Sequence, residues 1–481
     1  MKTLNTFFVS LSFLCLGFIP ISAMGQSMPY TFSANTAAKA SEVNENFTYL
    51  LKRFGTRQTS VNCSAGESIT TALQNYNHIV ISGICTENLS LNGTTLPHRL
   101  VILEGSSSSS DGIAASDTSK PVVDVGRGAI TLKVSKLKLS GGTVGLEASR
   151  GPTIIIKNAL IENNTQQGVA LWMGTNGKIE SSTIQNNGTH GIIVGYSSSI
   201  NITGNTISGH SNDSSILIYA SSGAYIIRNT ITGGKWSGIG LSGGSFARIG
   251  DDPEGGVSQG NTIQSAEHGI SVQNSSNAIL KYNTINNNSK NGVHIENNGS
   301  VVLAEGNTIS NNSRYGIQVW NGGSLDMWCS AQLTSATTIS SNTKAAIQSE
   351  LNSTATLCNL TLTSPNVGIK GYNGASIHLK NVTITGSSDV GLKTSSSNIY
   401  VDNSTITSST DEEIRLSDST IELYNTAITG TAGVNEIKLY YGSKLFIDNG
   451  TTITGTVRCD ASVDNNSIGN WANLTLTTSG C

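Results

Sequence analysis

The chain is built on one recurring phrase: Asn-Thr-Ile, a polar turn, then Gly-Ile-x-Val. It recurs as Asn205-Thr206-Ile207, Asn229-Thr230-Ile231, Asn261-Thr262-Ile263, Asn283-Thr284-Ile285 and Asn307-Thr308-Ile309. The apolar anchor falls at Leu160, Ile184, Ile207, Ile231, Ile263, Ile285, Ile309, Ile339, Leu362, Ile384, Ile406, Ile428 and Ile453. Most steps are 22 to 25 residues, with longer ones of 30 and 32. A repeat of that size cannot bury its own apolar face and must stack on its neighbours, so the period predicts a solenoid.

Within one coil the pattern reads strand, turn, strand, turn, strand. In Gly191-Ile192-Ile193-Val194 the period of two sends Ile192 and Val194 inward and Ile193 outward. The inward pairs continue as Ile239/Leu241, Ile270/Val272, Val293/Ile295 and Ile317/Val319. Asn before Thr-Ile suits a tight corner, because Asn tolerates the left-handed region and its amide can pair with the next coil. The run Asn286-Asn287-Asn288 reads as an exposed turn.

The beginning of the chain differs. Lys2 followed by the mostly apolar run from Phe7 to Ile21 predicts a signal peptide over 1–25, cleaved after Ala23 or Gly25. That run is too short and too broken by Ser10, Ser12, Gly17 and Pro20 for a membrane span. Residues 26–57 form a short helical segment, with Val43, Phe47, Leu50 and Phe54 on one stripe. Residues 40–54 are read as a helix docked on the body or a self-associating coil. A second helix, Glu67 to Tyr76, is expected to cap the first coil, ahead of a strand from His78. The solenoid is assigned residues 58–481, with the serine run Ser106 to Ser110 as an exposed loop.

Composition sharpens this picture. Charged residues are 12% of the chain, against about 25% in an ordinary domain. Stacked coils place equivalent residues about 4.8 Å apart, where like charges repel and Asn, Ser or Thr can pair. A formal net charge of −3 gives no case for nucleic acid. After the signal come six cysteines, and Cys63–Cys85, Cys329–Cys358 and Cys459–Cys481 are separated by 22, 29 and 22 residues. One coil apart is disulfide distance, so three staples are expected, each contributing about 3–4 kcal/mol at most. An even count in an exported chain favours oxidation over metal binding.

The repeats, together with Gly66-Glu67-Ser68-Ile69, the following amphipathic helix and Thr86-Glu87-Asn88-Leu89-Ser90-Leu91, resemble the pectate-lyase-like superfamily of right-handed parallel β-helix proteins. The resemblance runs from about residue 60 to 481. It implies an all-β solenoid of roughly 14–16 coils, about 70 Å long, and a setting in which polysaccharide lies across parallel strands. It leaves chemistry open, since the superfamily holds lyases, hydrolases, epimerases and adhesins. The Gly-His-Gly and Arg-Ile-Lys motifs of its galacturonan hydrolases are missing. Where its epimerases carry Asp-Pro-His, this chain has Asp252-Pro253-Glu254 and so lacks the imidazole. Asp251, Asp252 and Glu254 supply oxygen ligands suited to Ca²⁺ without a full set, so no cofactor is expected beyond that weak calcium candidate.

Stacking the coils on Gly-Ile-x-Val gives a better candidate surface. Two residues before the Gly come Glu267, Lys290, Arg314 and Lys344; one before it come His268, Asn291 and Tyr315. The next strand adds His294, Glu296, Gln318 and Trp320 on its outward side. Three consecutive cations in so uncharged a chain suggest an anionic ligand, with Tyr315 or Trp320 stacking on sugar rings. A second outward patch joins Trp172, Ile193, Tyr196, Leu217 and Tyr219. The sequence therefore reads as a secreted or surface protein that recognises polysaccharide, an acidic glycan in particular. Two alternatives stand beside that reading. One is a lyase or C5-epimerase in which Lys290 or Arg314 abstracts a proton and His268 or His294 acts as acid. The other is a structural or adhesive protein that binds no glycan.

Overall fold

The computed structural model describes residues 39, 41–46 and 55–479, apart from 94–95, 97, 252–258, 328, 330–334, 364–365, 408–409, 431–434, 461–467 and 471–476. The chain divides into two compact units, 1–51 and 52–481. In the first, residues 41–46 are helical. The remaining stripe residues Phe47, Leu50 and Phe54 lie outside the described residues, as does the expected signal peptide.

The second unit is a parallel β-solenoid of about 16 turns. One coil shows the plan: Ser199–Thr203 lies in a first strand column, Thr206–Ser208 in a second and Ile216–Tyr219 in a third. The next coil repeats it with Gly223–Ile227, Thr230–Thr232 and Ser237–Ser242, each parallel and in register with the strand before. Towards the C-terminus the first two columns fuse into the ten-residue strands Thr354–Thr363 and Ser376–Thr385. Among the described residues no helix is long and apolar enough to cross a membrane.

The anchor of the phrase is the middle residue of the second-column strand. Ile184, Ile207, Ile231, Ile263, Ile285, Ile309 and Ile339 are fully buried and paired coil to coil. One anchor is corrected: Ile161, not Leu160, pairs with Ile184. Leu160 flanks it and points outward, as the alternation of a three-residue strand requires. The series extends back through Leu139 and Ile113 to Cys85.

The glycine of the phrase answers a close approach. A Cβ on Gly168 would lie 2.6 Å from the Gly191 carbonyl and 2.7 Å from Ile184 Cγ2. No side chain fits there.

Asn before Thr-Ile does ladder. Asn205, Asn229, Asn261 and Asn283 each donate from Nδ2 to Oδ1 of the next, ending at Asn307, over 2.9–3.1 Å. Each backbone N–H donates to the same oxygen. All five are at most 2% exposed. The left-handed corner belongs instead to the preceding residue: Gly204, Arg228, Tyr282 and Gly306 have φ of 66°, 61°, 56° and 73°. A second ladder joins Asn288, Asn312 and Asn342. Asn288 is therefore buried and Asn286 is the partly buried end of the strand Thr284–Asn286, so the expectation of an exposed Asn286-Asn287-Asn288 turn holds only for Asn287.

The N-terminal coil opens with a strand not read from the sequence, Gln58–Asn62, paired to His78–Ser82. The capping helix is shorter than expected, Ile69–Ala72, with Ser68 as N-cap and Ile69 and Leu73 in the core. The Glu87 carboxylate on the next coil accepts from Ile69 N, Thr70 N and Thr70 Oγ1, satisfying helix-end donors that water would otherwise hold. The Ser106 to Ser110 loop folds over buried Asp111, whose carboxylate accepts from Gly83 N, Ser106 N and Oγ, and Ser107 N.

Disulfides join Cys63 to Cys85 and Cys329 to Cys358, with Cα separations of 4.8 and 5.4 Å. Cys459 is disulfide-bonded, and its expected partner Cys481 lies outside the described residues.

Asn283→Ala would leave the Asn261 N–H and amide, the Asn307 oxygen and the Ile249 carbonyl short of a partner. A loss of about 2–4 kcal/mol is expected in urea denaturation. An unchanged midpoint would show that the ladder does not hold the coils.

Candidate functional site

The outward side of the third column carries most of the chain's unusual chemistry. Its middle row aligns Leu217, Gly240, Ser271, His294, Gln318, Gln348, Lys370, Lys393, Arg415, Lys438 and Arg458 on successive coils. Backbone bonds from Lys290 to Glu267, Arg314 to Lys290 and Lys344 to Arg314 keep the expected corner row in line. Asp389 and Asp411 stand in line further along the same corner.

The sequence-derived residues are thus brought onto one face, though several are less accessible than expected. His268, His294 and Glu296 are at least nine-tenths buried. The two imidazoles stack at 4.5 Å, and the His294 Nε2 lies 3.3 Å from Glu296. Tyr315 is only 8% exposed, packed with Ala345 and Val367, so it offers no face for a sugar. Trp320 stays partly exposed, in register with Glu350. Asp251 is buried and ion-paired with Arg248 and Lys281, a setting that satisfies its charge without calcium. Asp252 and Glu254 lie outside the described residues.

Three zones stand out along this face, the second and third overlapping on the coils of Glu267 to Lys344. The first is the aromatic patch foreseen from sequence: Trp172, Tyr196 and Tyr219 lie with ring centroids 5.3–6.2 Å apart. Trp172 and Tyr219, with Leu217, cover Val144, Ala170 and Ile193. Ile193 is therefore buried despite pointing outward, and the Trp172 indole donates to Glu147 at 3.0 Å. Beside the patch a cavity of about 320 Å³ opens between Tyr219, Trp236, Asp213 and Gln273, over Gly240. A Cβ on Gly240 would already press on Ser214 and Ser237 at 3.1 Å. Burial and a hydrogen bond with Tyr196 push the Tyr219 phenol up to about 12, so it keeps its proton as a donor. Trp236, Gly240 and Asp213 were not among the residues read from the sequence; Trp236 could have been found one position before the aligned strand start.

The second zone is polar. His268 Nδ1, Ser271 Oγ, Asn291 Oδ1 and Gln348 Oε1 are buried without a protein hydrogen-bond partner. Such atoms call for water or ligand hydroxyls. Burial, and then the nearby His294, Lys290 and Arg314, lower the His268 pKa to about 3.

The third zone is charged. Lys290 pairs with Glu267, Lys393 with Asp389, Arg415 with Asp389, Asp411 and Glu412, and Lys438 with Glu412. Between those pairs, Arg314, Lys344 and Lys370 stand on three consecutive coils with no carboxylate at ion-pair distance among the described residues. Lys370 is half-buried; burial, then Lys393, lowers its pKa, with Lys344 adding to the effect.

The sequence matches the family described as right handed beta helix region over residues 103–252 and 251–330, and the described coils continue that path on both sides. No curated protein matches the chain. Among solved structures, the periplasmic alginate epimerase AlgG is similar at 14% identity over 81% of this chain and 88% of its own, with a TM-score of 0.44. The catalytic unit of a thermostable α-1,3-glucanase from Streptomyces thermodiastaticus is similar at 14% identity over 89% and 71%, with a TM-score of 0.35. Likeness at that level carries no conclusion about chemistry.

His268 is neutral when folded down to about pH 3, while an unfolded histidine takes up its proton near pH 6.5. The linked stability is therefore complete above pH 6.5, falls as the pH drops from 6.5 to 3, and reaches a loss of up to about 5 kcal/mol. His268→Gln should flatten that part of the stability profile. A His268 ring titrating near 6.5 by NMR would contradict the burial.

Proposed function

Taking the chain as a right-handed parallel β-helix protein, we propose that it is an exported recognition protein that holds an acidic polysaccharide along the outward face of its third column. The observation that carries this reading is the unpaired triplet Arg314, Lys344 and Lys370, set between cations that already have carboxylate partners. Leaving like charges uncompensated on adjacent coils costs free energy, which an anionic ligand would offset. Uronate carboxylates fit that demand.

The rest of the face supports the same ligand. The cleft at Trp236 and Tyr219 lies five coils from Lys370, about 24 Å at the strand spacing, which suits a chain rather than a monosaccharide. Trp236 is 41% exposed and so can stack on a sugar ring. The orphaned polar atoms of His268, Ser271 and Asn291 lie between cleft and cations and that of Gln348 lies among the cations, where sugar hydroxyls would satisfy them. Binding is favoured over proton abstraction because Lys290 is engaged with Glu267, and His268 is buried against His294. The paired cysteines support an oxidising compartment outside the cytoplasm.

The test is titration of the mature protein with pectate and alginate, with ultraviolet absorbance followed for unsaturated uronate ends. Saturable, salt-sensitive binding without turnover is expected. The triple variant Arg314→Ala, Lys344→Ala, Lys370→Ala should weaken it by at least about tenfold, roughly one exposed charge contact's worth per substitution. Binding indifferent to the triple variant would overturn the assignment, and rising absorbance would replace it with a lyase.

A further inference from the structure

A separate cavity of about 280 Å³ lies on the first column, on a different sheet from the face just described. Its lining comes from three consecutive coils in strict register. Ser376, Asn398 and Thr420 form one outward row, and His378, Tyr400 and Glu422 form the next. Among the described residues, the side chains of Ser376, Asn398 and Thr420 have no hydrogen-bond partner on the protein, so the row offers two hydroxyls and an amide to solvent.

The second row supplies an aromatic wall. His378 meets the Tyr400 ring edge-on at 4.5 Å, and Tyr424, from the neighbouring row in register with Asp402, stacks against Tyr400 at 4.9 Å. The Tyr424 hydroxyl donates to Glu422 at 3.1 Å, which holds the carboxylate beside the cavity as an acceptor. Among the described residues the three rings cover no buried cluster: His378 is exposed, and Tyr400 and Tyr424 are partly exposed.

We propose that this shelf is a second saccharide subsite, built for a neutral sugar unit. An aromatic wall beside a row of free hydroxyl and amide groups matches the two sides of a pyranose, its C–H face and its hydroxyl edge. The charge selects against a uronate: Glu422 lines the cavity, and Asp402 and Asp448 lie close enough to act on Tyr400. The cation in register with Asp402 is Lys380, on the neighbouring outward row. The cavity has room for a single ring rather than a chain. The protein would then hold acidic polymer on one sheet and neutral glycan on another, bridging two polysaccharides or two parts of one mixed polymer.

The two faces are separable by affinity electrophoresis of the mature protein in gels containing β-glucan, galactomannan or galactan, run beside gels containing pectate. Retardation by at least one of the three neutral polymers is expected. His378→Ala with Tyr400→Ala should weaken it about tenfold, while Tyr400→Phe, which keeps the ring, should retain most of it. Trp236→Ala and the Arg314/Lys344/Lys370 alanine variant should leave it unchanged. All the substitutions lie on the outside of the stack, and circular dichroism would confirm that the coils are intact. No retardation by any of the three neutral polymers, or retardation that survives loss of His378 and Tyr400, would overturn the subsite without touching the reading of the third column.

Discussion

Everything in this protein depends on register between coils. A parallel stack brings each residue within one strand spacing of its equivalents above and below, so a residue type chosen once is chosen for a whole column. The Asn205 to Asn307 ladder shows the constraint at its strictest. From Asn205 to Asn283 each buried amide gives a hydrogen to the next coil, and from Asn229 to Asn307 each side-chain oxygen receives two from the previous one, so side chains that would be costly alone satisfy one another. Slipping one coil would break bonds on both sides of it. The isoleucine anchors and the glycines beside them hold the same register by shape.

The same rule governs the surface, where it acts on charge. A column of like charges is unfavourable, and the C-terminal coils answer it by flanking Lys393, Arg415 and Lys438 with Asp389, Asp411 and Glu412. Arg314, Lys344 and Lys370 depart from that answer. Deviations from a rule kept elsewhere mark function better than the residues that follow it. The same holds for the unpartnered polar atoms around His268 and for the free polar row beside Tyr400.

The architecture was legible in the sequence because stacking writes a strong period, and because Cys63/Cys85 and Cys329/Cys358 fall one coil apart. What the sequence concealed was depth. His268, His294 and Tyr315 do point outward, as alternation demands, yet neighbouring coils bury them; alternation reports direction and says nothing of what stands alongside. Leu160 was mistaken for Ile161 because two adjacent apolar residues fit a short strand equally well. Asn288 was read as solvent-facing because a run of Asn looks like a turn, while pairing to Asn312 is visible only once coils are stacked. Lys370, Lys393, Arg415 and Lys438 occupy the variable place of Gly-Ile-x-Val-like phrases, so extending the alignment past Lys344 would have found them. The cleft at Gly240 was harder to foresee, since it arises from a missing side chain.

The most direct measurement is a crystal structure of the mature protein with a bound uronate oligosaccharide. The account predicts sugar density along the third column, with a carboxylate in contact with Arg314, Lys344 or Lys370 and a ring near Trp236. Density elsewhere, with those three cations still facing solvent, would contradict it.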